Sequence, residues 1–92
     1  MIAAPQYRAW VDENNIGHIR VLKRMKFILL LSIIRDVVLM QSDTHNSYRE
    51  IYIYVPESLS GIKSDNFFSF IEFTQVCCNI SIIVIDNPTD GQ

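Results

Sequence analysis

The sequence predicts an α/β fold: a small single domain over residues 1–92, with a mixed or parallel sheet of three to four strands and flanking helices. Three observations carry that prediction. Residues 49 to 55 (REIYIYV) alternate, with Ile51, Ile53 and Val55 on one side and Tyr52 and Tyr54 on the other, the period-2 pattern of a strand. Residues 65 to 78 put Ser69, Glu72, Gln75 and then Asn79 on a polar stripe, opposite Phe67, Phe70, Ile71, Phe73 and Cys77, which is the pattern of an amphipathic helix. Residues 80 to 85 (ISIIVI) are a nearly continuous β-branched run, as in a buried strand. Strand, helix, strand in that order is a βαβ unit, and its right-handed crossover makes the two strands parallel.

The remaining elements follow in chain order. Pro5 suits a first helical position, and Tyr7, Trp10 and Val11 fall at i, i+3 and i+4, so a short helix is expected over residues 5 to 13, ended by Asn14-Asn15 or Gly17. Residues 18 to 24 alternate weakly, Ile19 and Val21 against His18 and Arg20. Residues 27 to 34 are a continuous apolar block without a helical or strand period, as in an element buried on all sides; a central strand and a buried helix both fit. A single helix over residues 19 to 40 would scatter its polar residues round the axis, so a strand over residues 26 to 33 is expected, with a second element through residues 37 to 40. The block is not expected to cross a membrane. A spanning helix needs about 20 apolar residues, and Arg35 and Asp36 near its centre would each cost about 2.5 kcal/mol or more.

Residues 41 to 47 (QSDTHNS) are turn formers and predict a loop. Pro56 closes the strand before it, and Ser64 or Asp65 can cap the following helix. Asp86-Asn87-Pro88 ends the last strand and leaves a polar tail.

Composition narrows the function classes. With 49% hydrophobic and 20% charged residues the chain is globular, and its net charge of −2 implies no general attraction to nucleic acid or lipid. The charge is segregated, however. Residues 16 to 41 carry five bases against one acid, and residues 42 to 92 carry seven acids against two bases. The N-terminal residues MIAAPQYRAWVDENN lack the apolar core of a secretory signal, and where residues 25 to 34 read like the start of one, Arg35-Asp36 replaces the small-residue cleavage site. Cys77 and Cys78 are sequence neighbours and cannot build a disulfide framework, so a reducing, cytoplasmic location is expected. No cofactor is expected, because the chain has no GxxxxGK[ST], GxGxxG or DxD pattern. No metal is expected either. His18, His45 and the two adjacent cysteines are the only soft ligands, the cysteines are spaced too closely to chelate well, and buried inert thiols are the expected state.

Three groups of residues are candidates for binding. Arg20, Lys23, Arg24 and Lys26 form a basic cluster that could meet phosphates or an acidic protein, or simply lie solvated against the acidic half of the chain. Tyr52 and Tyr54, with Tyr48, share one face of a strand and would either dock a protein or pack beneath a helix. If the βαβ unit forms, Glu57, Ser60 and Lys63 come to the same sheet edge as Asp86 and Asp90, where α/β folds place ligands; a Mg²⁺ or an anion could bind there, or the residues are ordinary solvated strand ends.

The function these features predict is a small non-enzymatic protein-interaction module, a homo-oligomer or a subunit, acting through an apolar and aromatic surface. Nucleic-acid binding through residues 20 to 26 is the alternative. A small Mg²⁺-dependent or anion-handling enzyme at the strand-end carboxylates is a further one.

Overall fold

A computed structural model describes residues 5–42, 49–62 and 64–87. Four strands and two helices alternate as β1 (Tyr7–Val11), β2 (Gly17–Val21), α1 (Phe27–Met40), β3 (Arg49–Pro56), α2 (Asp65–Cys78) and β4 (Ile80–Asn87), with a 3-10 turn over Glu57–Ile62. The sheet order is β1-β2-β3-β4; β1 pairs antiparallel with β2, while β2, β3 and β4 run parallel. This is the expected α/β architecture with a mixed four-stranded sheet, and the C-terminal βαβ unit lies where the sequence places it.

Two element assignments are corrected. Residues 5 to 13 form no helix: Tyr7 to Val11 are strand β1, whose Tyr7, Ala9 and Val11 pack on the core and whose Arg8 and Trp10 point to the other side. The spacing of Tyr7 and Val11 satisfies both a 3.6 and a 2.0 period, and pairing with β2 decides for the strand. Residues 26 to 33 form no strand: Phe27–Met40 is one helix, whose buried Leu30, Ile33, Ile34 and Val37 fall at i, i+3, i+4 and i+7. Its period is masked because Ile28, Leu39 and Met40 place apolar side chains on the outward face beside Ser32, Arg35 and Asp36. No helix among the described residues is long and apolar enough to cross a membrane.

The helices are held by specific local chemistry. Ser64 caps α2 by accepting the Phe67 N–H on its hydroxyl at 3.3 Å, and Asn79 ends it in the left-handed conformation at φ 55°. On α2 the inward residues are Phe67, Ile71 and Thr74, and the Thr74 hydroxyl is satisfied by donating to the Phe70 carbonyl at 2.8 Å. Phe73 and Cys77, expected on the buried side, are exposed, and Cys78 is half-buried.

Both crossovers step the same way across the sheet, from β2 to β3 and from β3 to β4, so α1 and α2 lie on one face. They meet there through Phe27, which stacks on Phe70 at 5.1 Å between ring centroids. The core fills the space between: Ile19 and Val21 from β2, Ile51, Ile53 and Val55 from β3, and Ile80 and Ile82 from β4 pack against the inward stripes of the helices. Gly17 is the point of closest approach. A Cβ there would collide with the Val37 side chain, so glycine lets α1 lie directly on β2.

Candidate functional site on the helix-free sheet face

Because side chains alternate along a strand, filling one face of the sheet sends the other half of each strand to the opposite face. No described helix covers that face. The register sets two rows across it. Trp10 pairs with His18, His18 with Tyr52, and Tyr52 with Ile83; beside them Arg8 pairs with Arg20, Arg20 with Tyr54, and Tyr54 with Ile85. Sequence reasoning named Arg20, Tyr52 and Tyr54 as separate candidates, and the structure brings all three together. It joins to them Arg8 and Trp10, which the helical reading of residues 5 to 13 kept apart from the strands, and His18, which alternates with Ile19 in the next segment.

The aromatic row is in contact. The Trp10 and His18 rings lie 5.1 Å apart and within 13° of parallel, and Trp10 is still 40% exposed. Tyr52 tilts against both His18, at 5.8 Å, and Tyr54, at 6.5 Å. The Arg20 guanidinium sits 5.8 Å from the Tyr54 ring centroid, a cation–π distance.

A hydrogen-bonded chain fixes this row. His18 Nε2 lies 2.7 Å from the Asp12 carboxylate and Nδ1 lies 2.8 Å from the Tyr54 hydroxyl. Asp12 is positioned by the β1–β2 turn, where its Oδ1 accepts the N–H groups of Asn14 and Ile16 at 2.8 and 3.0 Å. The turn is itself clamped to the end of α1. Buried Gln41 donates to the carbonyls of Asn15 and Glu50, and Asn15, left-handed at φ 65°, exchanges two hydrogen bonds with the Ser42 backbone. The His18 bond and the two turn amides hold the Asp12 carboxyl below its ordinary pKa. Burial, followed by the neighbouring Tyr52, pushes the Tyr54 phenol above its own. Carboxylate, imidazole and hydroxyl in sequence form the order of an acid–base relay, yet a phenol with a raised pKa stays protonated and acts as a donor rather than a nucleophile. The chain's evident effect is to lock the ring positions.

The other expected sites are placed as follows. Lys23, Arg24 and Lys26 are exposed in the segment joining β2 to α1. Arg24 reaches the 3-10 turn, where its Nη2 would lie 3.4 Å from a Cβ at Gly61, so the basic cluster runs from the open face at Arg20 onto the edge where β2, β3 and β4 end. Glu57 opens the 3-10 turn at that edge, Ser60 lies within the turn, and Asp86 pairs with Val55 close by. His45, Tyr48, Lys63 and Asp90 lie outside the described residues. Among the described residues, no group of three or more His, Cys, Asp or Glu side chains converges as a set of metal ligands. The expectation of buried thiols is corrected: α2 turns Cys77 to the surface because the inward stripe runs Phe67, Ile71, Thr74.

The helix layer has its own exposed apolar residues, with Leu39 at 79% and Val76 at 83%. Between the helices Arg35, Val38, Leu39 and Cys78 line a shallow groove of about 240 Å³. Comparison of the chain with protein-family models, with curated proteins and with solved structures gives no match.

Proposed function

We propose that this protein is a non-enzymatic protein-interaction module that docks an acidic segment of a partner protein on its helix-free sheet face. One observation carries the reading: Trp10, Tyr52, Arg8 and Arg20 share a face that no described element covers. Tryptophan, tyrosine and arginine are the residues enriched at the anchoring points of protein interfaces. Arg8 and Arg20 also sit directly opposite one another across β1 and β2. Two positive side chains therefore share this part of the face, and an acidic segment complements them. Lys23, Arg24 and Lys26, at the end of the same strand, add steering for an acidic partner. Asp12 and Glu50 lie toward the opposite end of the face, so its charge is graded along the strands and gives the bound segment a direction.

The alternative of single-stranded nucleic acid draws on the same arginines beside aromatic rings. The ring geometry favours protein: Trp10 and His18 stack on each other and so cover ring faces that bases would occupy.

A displayed random-peptide library selected on the protein tests the reading. Enriched peptides should be acidic, bind more weakly at high salt, and lose about tenfold or more in affinity when Trp10→Ala or Arg20→Ala is introduced. Peptides that ignore both changes but fail with Leu39→Ser would move the docking surface to the helix layer. Salt-sensitive binding of an oligothymidine, without binding of any acidic peptide, would transfer the function to nucleic acid.

A further inference from the structure

We infer that two copies of this chain pair through β4, antiparallel and edge to edge, to make one continuous eight-stranded sheet. β4 is the last strand of the sheet order, and its outer edge is paired with no described strand. Natural proteins blunt such an edge with charged side chains, a proline, a bulge or a short length. Within its ladder β4 carries one charge, Asp86, near its end, and no proline or bulge. It is eight residues long, its register with β3 runs unbroken from Ile80 to Asn87, and residues 80 to 85 are uncharged. The opposite edge, β1, is five residues long and carries Arg8.

The edge donors are identified by one hydrogen bond. The Ile82 N–H donates to Gln75 Oε1 at 2.8 Å, so the amides of even-numbered residues point outward and those of Ser81, Ile83 and Ile85 point into the ladder with β3. Gln75 covers the donor of Ile82, and the Val84 N–H, the next outward amide along the strand, faces a second chain. Gln75 also locates the stripe of α2 that overhangs this edge. Phe68, seven residues earlier, lies on the same stripe and is 45% exposed, so a large apolar side chain stands above the seam.

A strand paired with itself about a two-fold axis meets its own sequence reversed. Centred on Ile83 or Val84, the axis sets Asp86 opposite Ile80 or Ile82, so no like charges meet. At the start of β4 an open notch of about 440 Å³, lined by Gln75, Val76, Asn79, Ile80 and Ser81, leaves room for the end of the other strand. An axis perpendicular to the sheet keeps both helix-free faces on the same side. The dimer stands on β4 alone. Combined with the docking reading above, it places two docking faces side by side for a bivalent partner.

The test is sedimentation velocity at tens of micromolar, with circular dichroism of each variant as the fold control. Wild type should sediment as a dimer. Val84→Pro removes an outward donor without breaking the ladder to β3, and should give a folded monomer. Phe68→Ser leaves the strand intact and should weaken the dimer about tenfold or more, which covers the case in which the proline variant fails to fold. A wild-type monomer throughout this range would overturn the inference, as would a dimer that Phe68→Ser leaves unchanged. Neither result bears on whether Trp10 and Arg20 dock a peptide.

Discussion

The His18 ring and the Tyr54 hydroxyl lie 2.8 Å apart, Nδ1 to Oη, in a bond that ties β2 to β3 on the open face. Asp12 settles its direction: an ionised carboxylate only accepts, so Nε2 carries the proton, and in the neutral ring Nδ1 accepts from the phenol. Tyr54→Phe keeps the ring and removes this bond. It should lower the unfolding free energy by about 0.5 to 1.5 kcal/mol in urea titration, with an unchanged denaturant slope.

The raised pKa of Tyr54 has a defined consequence at high pH. The folded state holds the phenolic proton more tightly than the unfolded chain, so this stabilisation is fully present below about pH 10 and is lost as the pH rises through the folded value. Wild type should therefore lose stability above about pH 10 more steeply than Tyr54→Phe. Absorbance near 295 nm should show a late-ionising phenol in wild type that is missing from Tyr54→Phe.

Asp12 works in the opposite direction. Its carboxyl is held below the ordinary value, so its contribution is present above about pH 4 and disappears as the pH falls through the folded pKa. Asp12→Asn keeps a turn acceptor and removes the charge. The stability gap between this variant and wild type should be open at neutral pH and should narrow as the pH falls through the folded value.

The approach of α1 to β2 is tested at Gly17. Gly17→Ala drives a methyl group into Val37 and should destabilise the fold by about 1 to 3 kcal/mol. Combining it with Val37→Ala should cost less than the two single changes added together, as measured by a double-mutant cycle.

The C-terminal half of the fold was legible because the alternation of β3, the cap of α2 and the β-branched run of β4 each point to one kind of element, although the inward stripe of α2 runs through Phe67, Ile71 and Thr74 rather than Phe73 and Cys77. Alternation of Ile51, Ile53 and Val55 against Tyr52 and Tyr54 admits only a strand, and Ser64 marks the start of α2. The N-terminal half was not, for two physical reasons. In β1 the apolar residues meet two periods at once, and the antiparallel partner that decides between them is supplied by the fold. In α1 an excess of apolar residues on the outward face, Ile28 and Leu39 above all, erases the contrast on which periodicity depends. The site suffered from the first of these. Arg20, Tyr52 and Tyr54 were visible singly, but Trp10 and His18 join them only once residues 7 to 21 are read as a hairpin. The turn itself offered a signal. Asp12, Asn14 and Asn15 followed by Gly17 are turn-forming residues between two weakly alternating segments.

The docking face is tested most directly by mapping amide and indole chemical shifts of the isotope-labelled protein as an acidic peptide from the library selection is added. The account predicts shifts at the Trp10 indole and at the amides of Arg8, His18, Arg20, Tyr52 and Ile83, suppressed in Arg20→Ala. Shifts confined to α1 and α2, at Leu39, Phe73 and Val76, with the Trp10 indole unmoved, would contradict it.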